Sequence, residues 1–276
     1  ENPCAQHAGA AGKSLMTTRY AVGLEYDGTH YAGWQRQPFF AATIQEQLER
    51  ALGQVAAHPV ETTCAGRTDA GVHATAQVIH FDTGAIRSDF AWLAGANRYL
   101  PADIRLQWIH AVPADFHARY SARERHYRYL IRHRAQPSAL WARRCHWHKK
   151  SLDAAAMHSA AQALIGEHDF SAFRAAECQA KSPWRFIRRI DVRERGGWIA
   201  VDICGNAFLH HMVRNIMGAL VYVGCGRMSV AQFGELIETR SRLYAPPTFM
   251  PDGLYLTGVD YPERWHIEPA ALPDWL

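Results

Sequence analysis

The chain has 276 residues, 48% hydrophobic and 20% charged, with a formal net charge of +4. That composition is globular, and the length suffices for one large domain or two ordinary ones. No apolar run approaches the ~18 residues of a membrane-spanning helix, so no membrane partner is expected.

The first residues, "ENPCAQHAGAAGKSLMTT", lack the apolar core of a signal peptide and read as a flexible extension over 1–18, with Met16 as a natural start. "YAVGLEY" (20–26) reads as a strand closed by the turn pair Asp27-Gly28. Residues 43–57 read as a helix, with Thr43 and Glu46 as a capping box and Ile44, Leu48, Ala51, Leu52 and Val55 on one face. "VETTCA" and "AQVIHF" are short strands, 88–100 is a helix capped by Ser88 and stopped by Pro101, and "IRLQWIHAV" is a strand. In the second half "HYRYLIR" is a strand carrying Tyr127, Tyr129 and Ile131 on one face and His126, Arg128, Leu130 and Arg132 on the other. A helix over 152–165 ends at Gly166, and the strands "RFIRRIDVRE" and "WIAVDIC" meet at Gly196-Gly197. A long helix over 207–223, a shorter one to about Thr239 and the strand "LYLTGVDY" complete the chain.

Each half therefore has the order of a ferredoxin-like unit. The expected fold is α+β: two such halves, over 19–114 and 115–265, with adjoining, mostly antiparallel sheets, helices on one side and a basic cleft on the other, and a tail over 266–276.

Charge is unevenly placed. Residues 1–118 hold 8 basic against 11 acidic side chains, 119–214 hold 18 against 8, and 215–276 hold 4 against 7. Between 119 and 150 the only acid among ten basic residues is Glu124, and Tyr120, Tyr127, Tyr129, Trp141 and Trp147 are interleaved. Arginine forks grip phosphates and aromatic faces stack on bases, so a nucleic acid is the expected partner. Cys4, Cys64, Cys145, Cys178, Cys204 and Cys225 are scattered without a CxxC pair, which suggests reduced thiols in a cytoplasm. "HWH" (146–148) and "HH" (210–211) lack partner ligands at metal spacing, so no metal is expected.

The stretch "CAGRTDAGVHATAQVIHF" (64–81) carries the candidate chemistry. A hairpin turn would explain Asp69 as a backbone cap and Gly66 and Gly71 as positive-φ residues. It would not explain Arg67 beside them, or His73 just after. A site would use them all: Asp69 directed into a cleft, kept ionised by Arg67, and available as a nucleophile. No GxSxG elbow or GxxxxGK[ST] phosphate loop occurs.

"GRTDAGVHA" (66–74), with "LEYDGTHYAGWQRQ" (24–37), "DFHARYSARERHYRY" (115–129), "GNAFLHHMVRN" (205–215) and "GLYLTGVDYP" (253–262), resembles the family of anticodon-arm tRNA pseudouridine synthases over nearly the whole chain. The resemblance implies isomerisation of uridine to pseudouridine at positions 38 to 40 of the tRNA anticodon stem-loop, without cofactor or metal, by a homodimer. It implies Asp69 as the catalytic aspartate, Tyr127 and Leu254 on either side of the target base, Arg214 as the partner of Asp69, and Arg67 in the space left by the extruded base. It further matches Arg87, Phe116, His117, Ala118, Arg119, Tyr120, Arg134, Cys178, Gln179, Ala180, Lys181 and Ser182 to stretches that contact tRNA. Arg119, Arg128 and Arg134 are expected to touch phosphates. The alternatives are a non-catalytic tRNA-binding protein of the same fold and a synthase acting on other RNA; a base deaminase would need a zinc cluster.

Overall fold

The computed structural model describes residues 17–37 and 42–269. Nearly all of the expected extension, and positions 270–276 of the expected tail, lie outside the described residues. The first half runs β1 (Thr18–Tyr26), α1 (Ile44–Ala56), β2 (Thr63–Cys64), β3 (His73–Thr83), α2 (Asp89–Tyr99) and β4 (Ile104–Val112). The second runs β5 (Glu124–His133), β6 (His146–His148), α3 (Ala154–Ala161), β7 (Gly166–Asp169), β8 (Trp184–Arg195), β9 (Trp198–Gly205), α4 (Met212–Gly224), α5 (Val230–Glu238) and β10 (Leu254–Asp260).

The strands form one sheet in the order β4-β1-β3-β10-β5-β9-β8-β7, with β2 added beside β3 and β6 beside β5. β10, the last strand, is the splice. It lies antiparallel to β5 and parallel to β3, where Tyr255 pairs with His73 and Leu256 with Ala74. The α+β fold with adjoining, mostly antiparallel sheets is thus present as expected.

Side-chain alternation decides the layers. Tyr20 pairs with Phe81, and the buried Trp92 of α2 meets both rings at 5.6 and 5.3 Å. Ile44, Leu48, Ala51 and Leu52 of α1 are fully buried in the same core. Across the splice Leu256 pairs with Tyr127, Tyr127 with Ile203, and Ile203 with Ile190. These belong to that core too, under α3 and α4. The helices of both halves therefore share one face.

Local sequence explains the elements, with four departures. Thr43 caps α1 by accepting the Glu46 N–H at 3.4 Å, and Ser88 caps α2 by accepting the Ala91 N–H at 3.2 Å. α4 starts at Met212, five residues later than the periodicity suggests, because His211 is left-handed (φ 60°) and cannot continue a helix. α3 stops at Ala161 and passes through a short 3-10 turn; Gly166 (φ 106°) then opens β7, a strand too short and polar to show in the pattern. β6 is similarly silent in sequence. "VETTCA" keeps only two residues of strand.

The face of β5 away from the helices holds a further correction. Arg128, expected on phosphates, is 2% exposed. Its Nε donates to Asp202 Oδ1 at 2.5 Å and its Nη2 to Oδ2 at 3.0 Å. Asp202 also receives Arg193. Removing one member of a buried pair strands the other charge. Asp202→Ala should therefore cost about 3–5 kcal/mol of unfolding free energy in urea titration; a loss below ~1 kcal/mol would mean that water solvates Arg128.

Candidate active site

The loop between β2 and β3 is held at almost every residue. The Ala65 N–H donates to Val78 O at 2.8 Å, and the buried Gln77 side chain donates to Gly66 O at 2.7 Å. Thr68 is fixed by its hydroxyl on Tyr26 OH at 2.8 Å and by the Trp34 N–H on its carbonyl at 3.0 Å. The Val72 N–H closes the turn onto Asp69 O at 3.1 Å. Gly71 supplies the left-handed residue (φ 77°); Gly66, expected to share that role, does not. Gly33 is needed by approach: a Cβ there would stand 2.8 Å from Thr68 O.

A buried arginine organises the surroundings. Arg125 is 8% exposed. Its guanidinium donates to Ala65 O at 3.0 and 3.3 Å, Arg119 O at 2.6 Å, Asn206 O at 2.8 Å and Ala122 O at 3.3 Å. One side chain thus ties the Asp69 loop to the basic turn 116–122 and to the segment leading into α4.

Asp69 stands on the helix-bearing face, in a seam between its loop and the first turn of α4, whereas the cleft is expected on the opposite face. Arg214, in the first turn of α4, donates from Nη1 to Asp69 Oδ2 at 3.1 Å and from Nε to Phe249 O at 2.9 Å. His210 Nε2 lies 3.5 Å from Oδ1, and His211 Nε2 lies 3.5 Å from Oδ2. Burial would push the Asp69 carboxyl up; the hydrogen bond from His210, the charge of His211, and the bond and charge of Arg214 outweigh it and hold it below its ordinary value. In return the Asp69 carboxylate raises His210, while burial lowers His211. Asp69 is therefore an ionised carboxylate in a half-buried setting, as a nucleophile requires.

The expected neighbours divide. Tyr127 is buried beside the loop, with its OH 3.5 Å from where a Gly66 Cβ would be and its ring edge-on to Phe208 at 5.0 Å. Leu254 is buried at the start of β10, paired with Tyr129 one step along β5. Arg67 is exposed and makes no hydrogen bond or ion pair among the described residues. It points outward, and the groups that hold Asp69 are Arg214 and the histidines instead. His117, Arg119 and Tyr120 form an exposed or half-exposed turn, with the His117 and Tyr120 rings 4.2 Å apart. Phe116 and Ala118 are fully buried and present no side chain. Cys178, Gln179, Ala180, Lys181 and Ser182 line a loop reached by the active-site histidine: the His210 N–H donates to Cys178 Sγ at 3.5 Å. Arg87 and Arg134 are exposed, on the α2 and β6 sides. His73 is buried on the far side of the sheet, stacked on Tyr255 at 4.7 Å and receiving the Gly28 N–H at 3.1 Å. It is structural.

Sequence reading missed Arg125, His210 and His211. The histidine pair was legible as the residues four and three before Arg214, but the carboxylate that gives them meaning is remote in the chain. Two groups among the described residues bring possible metal ligands within 4.8 Å of one another: Asp69 with His210 and His211, and Glu124 with His126 and Cys204.

The family model described as tRNA pseudouridine synthase matches residues 24–121 and 160–262. The chain belongs to the tRNA pseudouridine synthase family. It is 56% identical over 258 residues to a protein of Neisseria meningitidis (serogroup C, strain 053442) named tRNA pseudouridine synthase A, covering 94% of this chain and 97% of that one. Proteins of the same name from Cronobacter sakazakii and Chromobacterium violaceum are each 52% identical over 250 residues, covering 90% of this chain and 92% and 95% of theirs.

The charge balance at Asp69 is testable. Arg214→Gln removes a cation from the carboxylate, so the Asp69 titration midpoint should move up in pH, toward or past the ordinary 3.8. Carboxyl carbon NMR on labelled aspartate reads it; an unmoved midpoint would assign the depression to the histidines alone.

Proposed function

We propose that this chain isomerises uridine to pseudouridine in tRNA at positions 38 to 40 of the anticodon stem-loop, with Asp69 as the nucleophile. The observation that carries the reading is an ionised aspartate, salt-bridged to Arg214 and set beside Tyr127 on a rigid loop, in a member of a family described as tRNA pseudouridine synthase. In the reaction the N1–C1′ bond breaks and a C5–C1′ bond forms; C5 loses a proton and N1 gains one. Asp69 attacks either base or sugar, Tyr127 lies against the extruded base, and Leu254 packs on its other side. Arg67, unengaged among the described residues, fills the gap left in the stem. No cofactor takes part.

The basic turn and the exposed arginines carry the phosphates. Arg119 and Arg134 are the candidates, and neutralising either should weaken binding to any tRNA and flatten the salt dependence by about one counterion. Arg87, His117, Tyr120 and the 178–182 loop extend the contact. A tRNA is larger than one such seam, so the working form is a homodimer in the cytoplasm with the arm lying across both copies. Light scattering should give twice the 31.1 kDa of one chain; a monomer at working concentration would count against this.

Pseudouridine mapping of tRNA after incubation with pure protein tests the activity. Asp69→Asn should bind tRNA within a few-fold and show no turnover; normal turnover would remove Asp69 from the mechanism. Arg67→Ala should bind almost as well but turn over far more slowly. Its defect should shrink on a target uridine that is already unpaired, since about a few kcal/mol of unstacking is then avoided. Single-turnover rates on both substrates decide it, and an equal loss on both would sink the extrusion role.

A further inference from the structure

The geometry points to a site for a zinc-class divalent ion formed by Asp69, His210 and His211, whose occupation takes the nucleophile out of the reaction. It rests on the reading of Asp69 given above only for the consequence; the ion site itself rests on geometry. The His210 and His211 Nε2 atoms lie 3.5 Å from the two oxygens of the same carboxylate, and all three ligand atoms are within 4.8 Å of one another. A tetrahedral ion with bonds of about 2.0–2.2 Å needs ligand atoms roughly 3.4 Å apart. Two imidazoles and a carboxylate are also the donor types such an ion selects, and three protein ligands leave a fourth position open.

The site is built on fixed backbone. The His210 N–H is held by Cys178 Sγ and its carbonyl by the Ala175 N–H at 3.1 Å. The left-handed His211 turns the chain into α4, so that adjacent residues, with rings 3.9 Å apart, address one carboxylate. All three side chains remain partly open to solvent, which gives an ion a path in. One cation opposes it: Arg214 Nη1 on Oδ2 at 3.1 Å. The ion therefore competes with Arg214 for the carboxylate, and micromolar rather than tighter binding is expected. An ion on the carboxylate draws off its electron density and stands in the way of the target, so attack is suppressed.

The second ligand group makes the contrast. There Arg188 already spans the cluster, donating to both Glu124 oxygens at 2.8 and 2.7 Å and to Cys204 Sγ at 3.3 Å. That group faces the other side of the sheet, where His126 bonds Asp260 at 2.7 Å. It serves as the control.

The experiment titrates RNA-free protein with Co2+ alone, read by its visible absorption and by calorimetry. One ion per chain at micromolar concentration is expected. His210→Gln should weaken it at least ten-fold. So should His211→Asn, a residue chosen because asparagine tolerates the left-handed conformation. Cys204→Ser should leave it unchanged. In the pseudouridine assay Zn2+ should inhibit over the same concentration range and a chelator should reverse it. Binding only at millimolar ion, binding unchanged in both histidine variants, or binding lost in Cys204→Ser would each overturn the proposal. Because binding is read without RNA, its failure is distinct from failure of the proposed activity.

Discussion

A buried cation without a carboxylate is the constraint around which the active site is arranged. Arg125 loses its hydration on folding, and burial lowers its affinity for the proton. The guanidinium offers five N–H groups, and backbone carbonyls take up its bonds. Those carbonyls belong to three segments that would otherwise be independent: the entry to the Asp69 loop, the turn at 116–122, and the segment after β9. Each must take the path that brings its carbonyl to the guanidinium. The position of Asp69 and the approach of His210 and His211 are consequences. Lysine, with three donors on a point charge, could not reproduce that fork.

The same logic acts at larger scale through β10. Two ferredoxin-like halves would leave a free sheet edge at β3 and another at β5. β10 fills both, with a short parallel register on one side and a long antiparallel one on the other. The splice sets the loop after β2 opposite the start of α4, and so allows Arg214 to reach a residue 145 positions away in sequence. Asp69 comes from one half and its counter-charge from the other, which makes the salt bridge a report on whether the halves have joined.

What the sequence made legible follows from range. The period-2 strands β4 and β9, the capped helices α1 and α2, and the alternation in β5 depend on neighbours within a turn or a pleat, and they stand where the pattern puts them. α4 was misplaced at its start because a single left-handed His211 leaves no trace in hydrophobic spacing. Asp69 was legible because a loop concentrates glycines, an acid and a base in six residues. Its partners were harder. Arg214 came only through resemblance, and the histidines, read as an orphan pair, acquire a third ligand only once the sheet is closed. Arg128 failed for the opposite reason: an arginine on the outer face of an exposed-looking strand reads as a phosphate contact until Asp202 is seen beside it.

That failure bears on how charge in this chain relates to RNA. The excess of basic residues over 119–214 reads as a polyanion footprint, yet much of it is engaged within the protein. Arg125 is sealed on carbonyls, Arg128 and Arg193 share Asp202, Arg188 holds Glu124, and Arg214 holds Asp69. Those paired with a carboxylate add little to the long-range field that steers a polyanion, because the two charges nearly cancel at a distance, whereas Arg125, held by carbonyls, keeps its full charge. They release few counterions on binding, since a contact must first be given up to make one. Each phosphate neutralised on duplex contributes about 0.9 to the slope of affinity against salt. The slope should accordingly track Arg119, Arg134 and the other exposed cations rather than the net charge of the segment. The engaged arginines hold the protein together, and the exposed ones are those free to meet a polyanion.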